Sequence, residues 1–218
     1  MRDSEIPKFV YKALSEEKHA HDFLQEGRFR IGRLQSYKAI EDAGRRDSSE
    51  GEALYRFEDD LVQIHHSLEH EAVGTSTKRG LMNVSGSLGN PTYIFCTSLP
   101  SVDISYIRDR FGPFIVQIND PKRFIADMRE ALERTKFRFL NKGFVEGRKT
   151  EYSKGKILIS DVREVASCKL AVYQKPPEFE PEKEFRFIAL MNFLYPPDPL
   201  PEFVEVDLGK PIDYANLC

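Results

Sequence analysis

Residues 176–193 read PPEFEPEKEFRFIALMNF. Prolines and alternating glutamates give way at Glu184 to an apolar run, which reads as a strand over 184–191. Side chains along a strand return to one face every second residue. Glu182 and Glu184 are therefore expected side by side at the strand mouth, about 6–7 Å apart. Carboxylates so placed can divide labour, one stabilising developing positive charge while the other orients or deprotonates a nucleophile. The competing reading is a charged edge strand, since Glu178 and Glu180 extend the alternation.

Strands outnumber helices on either side of this stretch. KFVYKAL (8–14) reads as a strand with Phe9 and Tyr11 on one face and Val10 and Lys12 on the other. SEEKHAHDFLQEG (15–27) reads as a helix capped by Ser15 and ended by Gly27. RFRIGRLQSY (28–37) is expected to be a short strand with a basic face. Residues 53–98 read as a β-meander of three apolar segments separated by GTSTKRG and GNP. FGPFIVQI (111–118) is a further strand. NDPKRFIADMREALERTK (119–136) is the clearest helix, with Asn119 or Asp120 as cap and Pro121 at its first position. Its apolar face carries Phe124, Ile125, Met128, Ala131 and Leu132. More strands are expected at 137–141, 156–160, 168–174 and 202–207. With little β-helix-β alternation, the pattern predicts one α+β domain over residues 1–218.

The chain of 218 residues carries 32 Lys+Arg against 35 Asp+Glu, a formal charge of −3 that argues against a generally polybasic nucleic-acid binder. The charge is uneven: nine Lys/Arg face four Asp/Glu over 122–149, and three face nine over 178–218. Phe137, Phe139 and Phe144 interleave with the cations Arg138, Lys142, Arg148 and Lys149, so an RNA contact through 122–149 is one expectation. A solvated helix face is the other. No apolar run approaches the ~20 residues of a membrane span, so no membrane partner is expected. Cys96, Cys168 and Cys218 are widely spaced, which suits a reduced, cytoplasmic protein. Trp is absent, and 16 Phe and 9 Tyr supply the bulk.

Three motifs can carry chemistry. The first strand sets Tyr11 beside Lys12, with Arg30 soon after; an inward cation there needs a carboxylate or phosphate partner. A middle strand, YIFCTSLP, ends in Cys96-Thr97-Ser98, whose hydroxyls can bond a ligand or a carboxylate. Glu182-x-Glu184 opens the late strand. In that order the three resemble the ADP-ribosyltransferase superfamily. The layout is also similar to small bacterial and phage proteins that open on Tyr-Lys, carry a Glu-Asp-x(3)-Arg-Asp loop (here Glu41 to Asp47) and close on Glu-x-Glu-Phe-Arg.

The resemblance implies a largely antiparallel, split or meandering sheet with a few flanking helices. It implies cleavage of the nicotinamide–ribose bond of NAD, with transfer to a protein or nucleic-acid acceptor or to water, in a toxin or phage-defence setting. Glu184 would stabilise the oxocarbenium-like transition state, and Glu182 would select or activate the acceptor. Thr97 and Ser98 would support Glu184 and the nicotinamide ribose. Tyr11 and Lys12 would hold the first-strand position and Arg30 would contact phosphate. Tyr37, or else Tyr93 or Tyr106, would stack on nicotinamide. Two departures stand out: Lys12 replaces an Arg or His and lacks the guanidinium fork, and Cys96 replaces the first Ser of the triplet. The alternative is a non-catalytic nucleotide-binding or sensor protein using the same cleft.

The loop 41–51 packs Glu41, Asp42, Arg45, Arg46, Asp47 and Glu50 between glycines. Arg46 can approach a diphosphate, whereas surface salt-bridging explains the cluster equally. A hard-cation site on its carboxylates is conceivable, but no Asp-x-Asp-x-Asp-Gly loop is present, and no metal is expected. HHSLEH (65–70) lacks H-E-x-x-H and thiol partners, so it reads as an ordinary histidine cluster.

Overall fold

The computed structural model describes residues 6–34, 36, 53–57, 81–84, 92–137, 139, 145–152, 156–159, 171–191 and 199–218. The chain enters through β1 (Val10–Leu14) into α1 (Glu17–His21), which widens into a π-helical turn, Asp22–Glu26. The N-cap position is Glu16 rather than Ser15, and no side chain bonds there. Gly27 ends the turn at φ 65°, where a Cβ would stand 2.2 Å from the Lys210 carbonyl oxygen, so only glycine fits. Next come β2 (Arg28–Arg33), β3 (Ala53–Phe57), β4 (Leu81–Val84) and β5 (Thr92–Ser98).

Helix α2 (Ile104–Phe111) is not expected from the sequence. It buries Ile107 alone, so its apolar periodicity is faint, and its start rests on the Asp103 carboxylate accepting the Ser105 N–H at 2.9 Å. It also shortens the strand expected at 111–118 to β6 (Phe114–Ile118). Helix α3 (Pro121–Arg134) follows its reading closely: Asp120 accepts the Arg123 N–H, Pro121 opens it, and the five apolar residues of its stripe are buried.

The remaining strands are β7 (Val145–Lys149), β8 (Glu151–Tyr152), β9 (Lys156–Ile159), β10 (Gln174–Lys175), β11 (Glu184–Leu190), β12 (Phe203–Asp207) and β13 (Ala215–Leu217). Of the strand expected at 137–141 only residues 137 and 139 are described, and Phe139 makes a bridge to Met191. Within the strand expected over 168–174, Ala171–Tyr173 form a 3-10 turn and β10 begins at Gln174, while residues 168–170 lie outside the described ones. The meander is also corrected. β3 pairs with β4, but its other edge takes β9 in parallel, and these three form a sheet of their own, separate from β5.

The architecture is α+β, built on an eight-stranded open sheet whose strand pairs are all antiparallel. At its centre, β5 pairs with β11 along its whole length, and β11 pairs with β7 beyond. The opposite edge of β5 is shared. β2 takes Tyr93 and Ile94, then β1 takes Ser98, so the sheet forks there. β12 continues outward from β2, while β6 and β13 continue from β1. One face packs α3 and the α1 turn against Phe23, Phe29, Phe95, Phe124 and Phe187, with ring centroids 5.0–6.2 Å apart. Phenylalanine thus supplies the bulk that the absent Trp would otherwise provide. The opposite face is covered by α2 and by the 3-10 segments, where Ile94 and Ile188 pack against Val172 and Tyr173. No described helix is long and apolar enough to cross a membrane.

A buried charged cluster at the head of the central strands

Alternation along β5 and β11 sorts their side chains cleanly. Phe95, Phe185 and Phe187 enter the phenylalanine core, which sends Cys96, Ser98, Glu184 and Arg186 to the opposite face. Ser98 is directly opposite Glu184 on one side and Tyr11 on the other. Tyr11, Ser98 and Glu184 therefore form a row across three strands. The Glu184 N–H donates to Tyr152 Oη at 2.6 Å, and its carbonyl accepts the Thr150 N–H at 3.0 Å. With both backbone groups turned away from β5, Glu184 and Ser98 are a non-hydrogen-bonded pair, the closer of the two antiparallel spacings.

Glu182 does not share the strand. It ends a 3-10 helix, Pro177–Glu182, and Lys183 turns the chain at φ 45°. Pro177 and Pro181 prevent an extended ladder here, so Glu178 and Glu180 are exposed while Glu182 folds inward to 4% exposure. The two carboxyl groups meet nonetheless, through Lys175. Its Nζ lies 2.7 Å from Glu182 Oε2 and 3.1 Å from Glu184 Oε2. Arg110 of α2 donates from Nε to Glu182 Oε1 at 3.2 Å. Arg186, fully buried, donates from Nη2 to Glu184 Oε2 at 3.1 Å, and its Nε makes an ion pair with Oε1 at 3.1 Å. Arg186 Nη1 also donates to the Val172 carbonyl.

Burial alone would push the Glu184 carboxyl up. Arg186 first and Lys175 next reverse this, helped by hydrogen bonds from Arg186 and Cys96, and hold it at about 2 against an ordinary 4.5. It is ionised throughout the physiological range. The Cys96 thiol behaves oppositely: burial, then the Glu184 charge, push it far up, so it is no nucleophile. Tyr152 is likewise pushed up by burial, which keeps its hydroxyl neutral beside Glu184.

No family model, curated protein or solved structure matches the chain.

The residues singled out from the sequence do not all converge. Glu184, Glu182, Ser98 and Tyr11 come together on one face. Thr97 and Lys12 stand on the other. Thr97 donates to the Phe185 carbonyl at 2.7 Å, which ties it to the backbone of β11 and turns it from the Glu184 carboxylate. Lys12, two residues from the core residue Val10, lies with its amine 4.6 Å from the Phe95 ring centroid and donates to the Cys96 carbonyl at 2.9 Å. That carbonyl points into the fork, where β5 has left β2 and not yet met β1. Arg30 lies beyond the point where β2 leaves β5, exposed, paired with Glu205 at 3.3 Å and stacked on Phe203. Tyr37 and Arg46 lie outside the described residues, as do the rest of the loop 41–51 and HHSLEH. Of the other tyrosines, Tyr93 is in the core and Tyr106 packs against α2 and β1 neighbours.

Lys175, Arg186, Arg110 and Tyr152 escape sequence reasoning. Arg186 is the most legible of them: a lone cation inside an apolar strand, two residues from Glu184, must have a partner. Nothing local marks Lys175 or Arg110. Of the aromatics in the 122–149 stretch, Phe139 is buried and Phe137 packs on the core, while Phe144, Arg138 and Lys142 lie outside the described residues. Among the described residues, His21, Asp22 and Glu26 bring ligand atoms within 4.8 Å of one another, but Lys18 and Arg28 already pair with Asp22 and Glu26.

Proposed function

We propose that the protein is an NAD-cleaving enzyme of ADP-ribosyltransferase type, transferring ADP-ribose to an acceptor or to water, with Glu184 as its catalytic carboxylate. The observation that carries this reading is the Tyr11–Ser98–Glu184 row, in which an ionised carboxylate sits next to a hydroxyl and an aromatic ring on one sheet face. A carboxylate held at about 2 cannot serve as a general acid. It suits the stabilisation of positive charge as a glycosidic bond breaks. Lys175 gives the cluster its give. Already bonded to Glu182, it keeps a partner when Glu184 Oε2 turns to a ribose hydroxyl.

The test is release of nicotinamide from NAD, with water, lysate protein, RNA and DNA offered as acceptors. Ser98→Ala and Tyr11→Leu leave the ion pairs intact and are expected to cut the rate at least tenfold, and Glu184→Gln to abolish it. Silence of the wild-type protein with every acceptor sinks the reading.

A second reading, a non-catalytic nucleotide-binding or sensor protein, is favoured by two observations. Both Glu184 oxygens are engaged by cations, and the first-strand cation faces away. Thermal stabilisation by NAD without turnover selects it.

A further inference from the structure

The ladder between β7 and β11 ends at the pair Lys149 and Phe185. Thr150 and Glu184 stand next in register, and two antiparallel residues bonded across that edge would exchange both backbone bonds. Only one of the two forms. The Thr150 N–H donates to the Glu184 carbonyl at 3.0 Å, while the Glu184 N–H donates to the Tyr152 hydroxyl at 2.6 Å. A side-chain oxygen thus stands where the Thr150 carbonyl would complete the pair. The cause is the course of the chain. Beyond Thr150 it leaves β11, and Glu151 and Tyr152 pair in parallel with Gln174 and Lys175.

That parallel register sets Tyr152 beside Lys175, and both reach Glu184. Tyr152 holds the backbone N–H. Lys175 holds Oε2 at 3.1 Å, its amine 4.9 Å from the Phe179 ring centroid. The other groups facing this carboxylate come from elsewhere: Arg186 from β11 itself, Cys96 from β5, and Glu182 across Lys175 from the 3-10 helix. Arg186 moves with the strand that carries Glu184, and Ser98 of β5 gives Glu184 no backbone bond. Both backbone bonds of Glu184 therefore come from residues 150–152.

We infer that Tyr152 is a positioning residue for Glu184, and that the β8–β10 ribbon sets where its carboxylate stands; this rests on Glu184 being the catalytic carboxylate. Tyr152 touches no reacting atom in this role. A catalytic group must be held to within about 0.5 Å, and a misplacement of ~1 Å costs on the order of a hundredfold in rate. Without the hydroxyl, a buried N–H loses its acceptor and the first residue of β11 is freed to shift.

Three measurements test the assignment, and two of them need no turnover. In the wild-type protein the Glu184 N–H should exchange with deuterium at least about a hundredfold slower than an open amide, and fast exchange there overturns the inference. Carbon-13 titration of the glutamate carboxyls, with the Glu184 signal assigned by its loss in Glu184→Gln, should place the wild-type midpoint at about 2. Tyr152→Phe should raise that midpoint by about one pH unit or more, because a displaced carboxylate loses Lys175, as Lys175→Met should by removing the contact outright. With NAD, Tyr152→Phe should lower kcat for nicotinamide release at least about tenfold and leave KM within about twofold. An unmoved Glu184 midpoint overturns the inference whatever happens to turnover. A midpoint that moves while kcat stays put overturns it too, as does a raised KM at unchanged kcat, which would make Tyr152 a substrate contact. If the wild-type protein is silent toward NAD while the midpoint moves, the catalytic reading fails and Tyr152 still stands as the residue that places the Glu184 carboxylate.

Discussion

At the scale of single residues, Glu184 is held by charge rather than by solvent. Its carboxyl falls from 4.5 to about 2 on folding. A depressed folded-state value adds stability above the unfolded value and loses it as pH falls toward the folded one. The full contribution, on the order of 3 kcal/mol, is therefore present above pH ~4.5 and fades between there and pH ~2. Urea unfolding across that interval should show the loss in wild type and a flatter profile in Glu184→Gln. At pH 7 the variant should be about 3 kcal/mol less stable, because Arg186 and Lys175 are left facing a neutral amide. Part of this site is legible in the chain. Glu184 and Ser98 can be found there because strand alternation fixes their shared face. The cations cannot, because Lys175 and Arg110 reach the site from a two-residue strand and a faint helix whose placement depends on tertiary packing.

At the scale of elements, the fork on β5 explains Lys12. A strand that changes partners leaves backbone groups between the two ladders, and a buried carbonyl there needs a donor. Lys12 supplies one to Cys96, its stem lying along Phe95. Lys12→Met should cost about 1–2 kcal/mol in urea unfolding while leaving nicotinamide release per folded molecule unchanged. Loss of turnover at unchanged stability would return Lys12 to the cofactor. The contrast between α3 and α2 shows what a sequence discloses at this scale. α3 buries a whole apolar stripe under a capping aspartate and a first-turn proline, so period and punctuation agree. α2 buries one residue and is visible only once β1 and β6 exist for it to lie on. The pairing of β3 with β9, distant in sequence, has no local signature at all.

At the scale of the molecule, the uneven charge seen in the sequence is partly settled internally. Arg123 of α3 pairs with Asp213 at 2.8 Å and stacks on Tyr214, and Lys210 pairs with Asp127 at 2.8 Å. Arg134 bonds the carbonyls of Asp207 and Leu208. The basic helix thus holds the acidic C-terminal segment rather than standing free of it. Arg123→Ala should cost about 1 kcal/mol, less at high salt, in thermal or chemical unfolding. That same segment has an unusual position. β12 closes the sheet beside β2 and β13 closes it beside β6, so residues 203–217 supply strands at two separated edges and cross between them past Gly27 and Leu24. During synthesis on the ribosome, neither β2 nor β6 has its outer neighbour until residues 203–217 emerge. A message truncated after Leu200 would yield a chain with two bare strand edges, prone to pairing with other copies, and quality control in the cell would meet it as an aggregate rather than as a slightly shorter protein.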